Sequence, residues 1–263
     1  MKVVEMNLFE LGRRARAKRH PRVWLRADGA VHLVPNAPDW GKLPIQVQEV
    51  HFHPRKDETP EQVVEMAQQL RAQFPGAKLH GLSPGWLQRH GFEVLDKIRP
   101  DSLCWFTGEL TGPSTAAAQG WEECAPLKLP KVATFVYGPE HSFADLEKRL
   151  DALRDAEQIV PLPRAVGDLV VIPGATTDGP LDVEILSRTR ALAEPVQWVR
   201  ASWGALGFKL AQSSLAFGAD ALSGWGLEEQ LAYSGRMRPA DLIGWDEARA
   251  GALEAGMESY ETR

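Results

Sequence analysis

Four of the seven histidines in this 263-residue chain fall at the ends of short β-type runs. The run Ile45–Phe52 closes as Glu49-Val50-His51-Phe52-His53-Pro54. Period-two alternation puts Glu49, His51 and His53 on one face. A His-x-His pair on a strand is a known way to hold a divalent metal, because both imidazoles project to the same side. His80 closes the run Ala77–Leu82, and His141 follows Tyr137-Gly138-Pro139-Glu140. We therefore take His51, His53 and His80 as candidate metal ligands, with His141 or a carboxylate to complete the set. The same imidazoles, with Glu109 and Glu140, are candidates for acid–base work or for binding an anion. The plainer alternative is that these histidines only hydrogen-bond inside a polar mouth. Asn36, Ser83, Trp105, Tyr137, Glu140, Arg200 and Trp203 stand at or near other run ends and make up a candidate ligand-binding set. Arg200 there suits a carboxylate or phosphate, with a buried salt bridge as its structural alternative.

These residues need elements to position them. The β-type runs are Val31–Val34, Ile45–Phe52, Ala77–Leu82, Ser102–Phe106, Val132–Tyr137, Ile159–Leu162 and Val196–Trp203, with Val170–Ile172 as a minor addition. Helical patterns separate most of them. From Thr59 to Phe74, Thr59 is the N-cap, Pro60 takes the first helical position and Gln62 completes a capping box. Val63, Met66, Ala67, Leu70 and Phe74 then form one stripe. Ser142 caps a second helix carrying Phe143, Leu146, Leu150 and Leu153 inward. Gly207 to Phe217 reads as a third, and Gly218 suits its end. Strand–helix alternation implies parallel strands with crossover helices outside. The expected architecture is a TIM-like (βα) barrel, full or partial, with C-terminal helices, as a single domain over 1–263. In that architecture chemistry sits at the C-terminal ends of the strands.

Composition narrows the function classes. The chain is 44% apolar and 25% charged, which supports a core and excludes bulk disorder. Its apolar runs are too short for a membrane span, and the N-terminus lacks signal-peptide features, so a cytoplasmic location is expected. The net charge of −5 offers no global field for nucleic acid. Residues 1–26 form a locally basic extension, read as a helix with a solvated face, or as a contact element for an acidic partner. No nucleophile elbow, P-loop or dinucleotide fingerprint is present. The two cysteines, Cys104 and Cys124, exclude a disulfide framework.

The C-terminal half carries a resemblance. Ala201-Ser202-Trp203, Gly207, Ala211-Gln212, Leu215 to Asp220, Gly224, Glu228-Glu229 and Ser234-Gly235 resemble the radical S-adenosylmethionine (radical SAM) enzymes of the futalosine route to menaquinone. Thr134 to Gly138, Leu146 to Arg154 and Val160 to Leu162 look like that family's fifth strand, helix and sixth strand. His53-Pro54 and His80 to Pro84 resemble its second and third strand ends. The resemblance implies a barrel of the radical SAM type, with a [4Fe–4S] cluster on a C-x-x-x-C-x-x-C loop after the first strand. Here the stretch from Val34 to Pro44 holds no cysteine. Three thiolates are missing, so neither the cluster nor S-adenosylmethionine cleavage is expected. Trp105 and Phe106 stand where the family keeps glycine, and are expected to fill the cofactor side.

Two readings follow. In the first, the chain is a cluster-less relative of the menaquinone enzymes that binds a small molecule or pairs with a pathway enzyme as an accessory subunit. In the second, the barrel is a repurposed enzyme whose histidine site, with or without a divalent metal, performs lyase or hydrolase chemistry.

Overall fold

The computed structural model describes residues 6–19, 21–26, 30–33, 49–52, 54, 57–109, 124, 127–153, 156–164, 178–193, 196, 198–224 and 243–260. The strands are β1 (Val23–Arg26), β2 (Ala30–Leu33), β3 (Glu49–Phe52), β4 (Lys78–Gly81), β5 (Ser102–Glu109), β6 (Lys131–Tyr137), β7 (Gln158–Pro163), β8 (Trp198–Ser202), β9 (Ala221–Ser223) and β10 (Ser259–Tyr260). The helices are α1 (Leu8–Lys18), α2 (Pro60–Gln73), α3 (Pro84–His90), α4 (Val94–Ile98), α5 (Phe143–Ala152), α6 (Gly179–Leu192), α7 (Trp203–Leu206), α8 (Phe208–Ser214) and α9 (Trp245–Glu254), with a 3-10 turn at Leu215–Phe217.

All strand pairs are parallel, in the order β10-β1-β9-β8-β7-β6-β5-β4-β3-β2. From β3 to β9 neighbours in sequence are neighbours in space. β1 and β2 follow one another in the chain yet lie at opposite margins of the ladder. The link from Arg26 to Ala30 can span only about 14 Å. The sheet must therefore curl until its margins approach, which is the plan of a (βα) barrel.

Helix starts are set locally. Thr59 Oγ1 accepts from the backbone of Gln62 while the Gln62 side chain accepts from Thr59 N–H, so the expected capping box forms with Pro60 just inside. Ser142 does the same for α5, with Asp145 as the reciprocal acceptor. The expected helix from Gly207 to Phe217 becomes α8 and the 3-10 turn, and Gly218 ends it at φ 111°. A side chain there would also meet Ala15 of α1, whose Cβ lies 2.5 Å from the added carbon. Val23–Arg26, within the basic extension, is a strand rather than helix. The stretch Val170–Ile172 lies outside the described residues.

Alternation sorts each strand between two faces. Val50, Phe52, Leu79 and Leu103 pack with Val63, Ala67 and Leu70 of α2. Ala133, Phe135 and Tyr137 pack with Leu146 and Leu150 of α5, and Val199 and Ala201 pack with Leu186 and Ala211. These positions face the helical layer. The positions between them face the lumen, where Val132, Val136, Val160 and Leu162 form a separate apolar cluster. Burying each large apolar side chain stabilises the fold by about 1.5–3 kcal/mol.

The basic helix α1 docks on this layer, with Leu11 and Ala15 fully buried. Its cations serve neighbouring helix ends. Lys18 Nζ donates to Ala191 O at 3.0 Å, Arg16 to Ala216 O at 3.0 Å, and Arg19 to Leu215 O. A cation near a helix C-terminus meets carbonyls that have no intrahelical donor.

Candidate functional site

Arg200 lies between Val199 and Ala201 on β8, so it takes the lumen face and is fully buried. Thr134 of β6 lies between Val132 and Val136 on that same face and is fully buried. Ser202 and Ser223, at the ends of β8 and β9, are Cα partners and are buried. Ser202 Oγ donates to Gly224 O at 3.4 Å. The lumen beside β8 thus combines a guanidinium, hydroxyl groups and the apolar wall of β6 and β7. A guanidinium offers planar paired donors that match a carboxylate.

Across the sheet, His80 Nδ1 shares a hydrogen bond with Ser102 Oγ at 2.7 Å. His80 and Ser102 are Cα partners on β4 and β5. Glu157, just before β7, has its carboxyl pushed above the usual range by burial, with the Lys78 ammonium of β4 opposing the shift.

Several expected site residues do other work. Trp105 follows Leu103 at period two and packs with Ala133 and Phe135 beneath the helices, so the expectation that it fills the cofactor side is corrected. Tyr137 shares that outer face, and its hydroxyl donates to Asp182 Oδ1 of α6 at 2.8 Å. Trp203 opens α7 and packs in the cluster with Leu186, Val199 and Ala211. Ser83 caps α3 by accepting from Trp86 N–H at 3.3 Å. His141 Nδ1 accepts from Gly138 N–H at 2.6 Å, closing its own loop, and its Nε2 lies 3.5 Å from Glu140 Oε1. Glu140 is half-exposed and ion-paired with Arg164, whose hydrogen bond holds the Glu140 carboxyl below its usual range. Glu109 ends β5 after a register irregularity from Phe106. His51 sits on β3, while Asn36 and His53 lie outside the described residues.

Sequence reading missed Ser102, Arg164 and Asp182. Ser102 meets His80 across two strands, and Asp182 meets Tyr137 beneath the helices, pairings that no local spacing signals. Arg164 follows the β7 strand end directly, and that position was its only signal.

No known protein-family profile matches the chain. It is 26% identical over 229 residues to 5-amino-6-(D-ribitylamino)uracil–L-tyrosine 4-hydroxyphenyl transferase 1 of Methanosarcina acetivorans, covering 72% of this chain and 61% of that protein. The corresponding transferase of Methanoculleus marisnigri is 24% identical over 238 residues, covering 78% of this chain and 64% of that one. The chain therefore spans less than two thirds of either relative. In structure it resembles methylornithine synthase, with a TM-score of 0.68, 13% identity, and coverage of 98% of this chain and 92% of that one. It also resembles the FeFe-hydrogenase maturase of Carboxydothermus hydrogenoformans, with a TM-score of 0.64, 12% identity, and coverage of 95% and 70%.

The fold is thus the (βα) barrel plan of these two enzymes. Two expectations are corrected. The curated relatives are the uracil–tyrosine transferases, so the menaquinone and futalosine assignment is withdrawn. The expectation of neither a [4Fe–4S] cluster nor S-adenosylmethionine is corrected too, because the relatives normally carry both. The donor set of this chain is a separate matter. Its thiols are Cys104 on β5 and Cys124, the latter fully buried in the apolar cluster with Phe52 and Leu79. They do not make up the three or four thiolates by which cysteines hold such a cluster. The residues present do not fit the group. Among the described residues no helix is long and apolar enough to cross a membrane.

Proposed function

We propose that this chain binds a small carboxylate, of the amino-acid kind, in the barrel lumen against Arg200, and that binding rather than radical catalysis is its own contribution. The observation that carries this reading is the fully buried guanidinium of Arg200 on the lumen face. It stands on β8, beside the strand that supplies Val160 and Leu162. A carboxylate held by the fork and an apolar side chain laid on the β6–β7 wall would use both features. Thr134, Ser202 and Ser223 supply hydroxyl groups for further orientation. The relatives' names support the class: one transfers a group from L-tyrosine, and a structural neighbour makes methylornithine.

The test is calorimetric titration of the full chain with L-tyrosine and a panel of amino acids, beside their carboxamides. Binding of an acid, with its amide at least tenfold weaker, supports the reading. Arg200→Lys keeps the charge but loses the planar fork, and should weaken binding by about tenfold or more. Equal affinity for acid and amide overturns the proposal. Formation of 5′-deoxyadenosine by the protein, after anaerobic supply of iron, sulfide and S-adenosylmethionine, would replace it with radical catalysis.

A further inference from the structure

Two helices on the outside of the barrel carry opposite charge. Residues 1–26 hold eight Lys and Arg against two Glu in a chain of net charge −5, so the remainder stands at −11. The cations of α1 divide by task. Arg16, Lys18 and Arg19 donate to carbonyls of neighbouring helices. Arg13 and Arg14 are exposed and make no ion pair among the described residues, and Phe9 beside them is 76% exposed. On α9 the sign reverses. Asp246 and Glu247 are exposed and make no ion pair among the described residues, and Leu253 is 71% exposed. Both helices flank one segment, α8 with its 3-10 turn. Arg16 and Arg19 of α1 donate to Ala216 O and Leu215 O on one side, and Gln212 donates to Gly251 O and Glu254 Oε2 of α9 on the other. The basic and acidic faces therefore belong to the same side of the molecule.

We propose that this side is the interface of a dimer, in which α1 of one copy docks antiparallel on α9 of a second copy and the second returns the same contact. Along α1, Phe9, Arg13 and Arg16 recur at i, i+4 and i+7, so they share a stripe. Along α9, Asp246, Ala250 and Leu253 do the same. Each stripe covers about 10 Å at 1.5 Å per residue. Run antiparallel, Phe9 meets Leu253 and the small Ala250, while the arginines meet Asp246 and Glu247. Run parallel, Phe9 would meet Asp246, so charge and apolar matching select the antiparallel direction. A patch that holds both halves of the match is self-complementary, which is what a closed two-fold interface requires. The exposed charges steer and fix register, and the two apolar side chains leave water. The interface lies outside the barrel, whereas Arg200 lies in the lumen, so it stands independently of the carboxylate reading.

The experiment is sedimentation velocity on the full chain at low and high salt. The wild-type chain should be a dimer at micromolar concentration, and high salt should weaken it by about tenfold or more, because the pairing charges are screened. The double variants Arg13→Glu with Arg14→Glu, and Asp246→Lys with Glu247→Lys, should each be monomeric. Phe9→Ser should weaken association by about tenfold. All five positions are exposed, so the fold should be kept, and far-UV circular dichroism checks it. An equimolar mixture of the two charge-reversed variants should dimerise again, because one contact then carries both reversals and the other carries neither. Two unrelated surface defects would give no such rescue. A wild-type chain that stays monomeric at low salt overturns the proposal, as does a dimer that survives both reversals. Open-ended oligomers overturn the reciprocal arrangement. A monomer that binds polyglutamate or phosphatidylglycerol vesicles through α1 also overturns it, and gives the basic face to an acidic protein or to a lipid surface.

Discussion

The strands around Arg200 and those around Leu79 are secured by different means. Around β6 to β9, buried polar clamps tie sheet to helices. Tyr137 reaches Asp182, and Arg190 pairs with Asp220 at 2.7 Å while also donating to Val196 O. Asp220 also accepts from Val199 N–H at 2.8 Å, and Ser187 Oγ donates to Phe217 O. Around β3 and β4 the described side chains instead form an apolar cluster under α2, with Asp101 accepting from Leu79 N–H as a polar tie. Buried hydrogen-bonded clamps fix one geometry, whereas apolar packing tolerates small shifts. The β8 side is thus suited to hold a guanidinium in place, and the β3–β4 side depends more on close backbone packing.

That contrast can be broken from either end. Gly81 should give the largest effect on the apolar side. Its φ is 151°, and an added Cβ would lie 2.0 Å from Phe52 O. Gly81→Ala should destabilise the chain by on the order of 3 kcal/mol or more, read as a fall in the urea midpoint. Asp220→Ala is the matching cut on the clamped side. It strands the Arg190 charge and the Val199 N–H, and should cost about 3–5 kcal/mol. If it cost less than Thr59→Ala, the clamps would not be what secures β8.

Tyr137→Phe sharpens the division between faces. It removes one buried hydrogen bond to a carboxylate, a loss of about 1.5–3 kcal/mol by chemical denaturation. Because Tyr137 faces the helices, amino-acid binding should not change. Thr59→Ala, which removes the α2 cap, should cost about 1 kcal/mol by the same measurement. The smallest effect concerns Glu157. Burial raises its carboxyl above the ordinary value, so the folded state holds the proton more tightly than the unfolded one. The stability this contributes is full below the ordinary glutamate pKa and is lost as pH rises through the raised one. Glu157→Gln should flatten the rise in unfolding midpoint that this group is expected to contribute on acidifying from neutral pH. An unchanged slope would remove Glu157 from the account.

The comparison also shows what was legible. The capping boxes at Thr59 and Ser142, the strands around Lys78, Lys131 and Gln158, and the glycine stop at Gly218 all follow from short-range chemistry. β9 and β10 escaped because three- and two-residue strands carry too little alternation to register as a pattern, and β1 because it lies in the basic extension that reads as helix. Trp105, Tyr137 and Trp203 stand at strand ends, where ligand-binding residues are expected. One residue of phase puts them beneath the helices instead.

The sequence by itself determined the helix caps, the parallel strand–helix alternation and the barrel class, because each depends on contacts within a few residues. It paired His51 with His53 along a strand. Only the tertiary structure placed Ser102 beside His80, assigned Arg200 to the lumen and sent the α1 cations to neighbouring helix ends. The physical reason is that strand register and face are set by packing between elements far apart in the chain, and local residue order does not encode which row a residue joins.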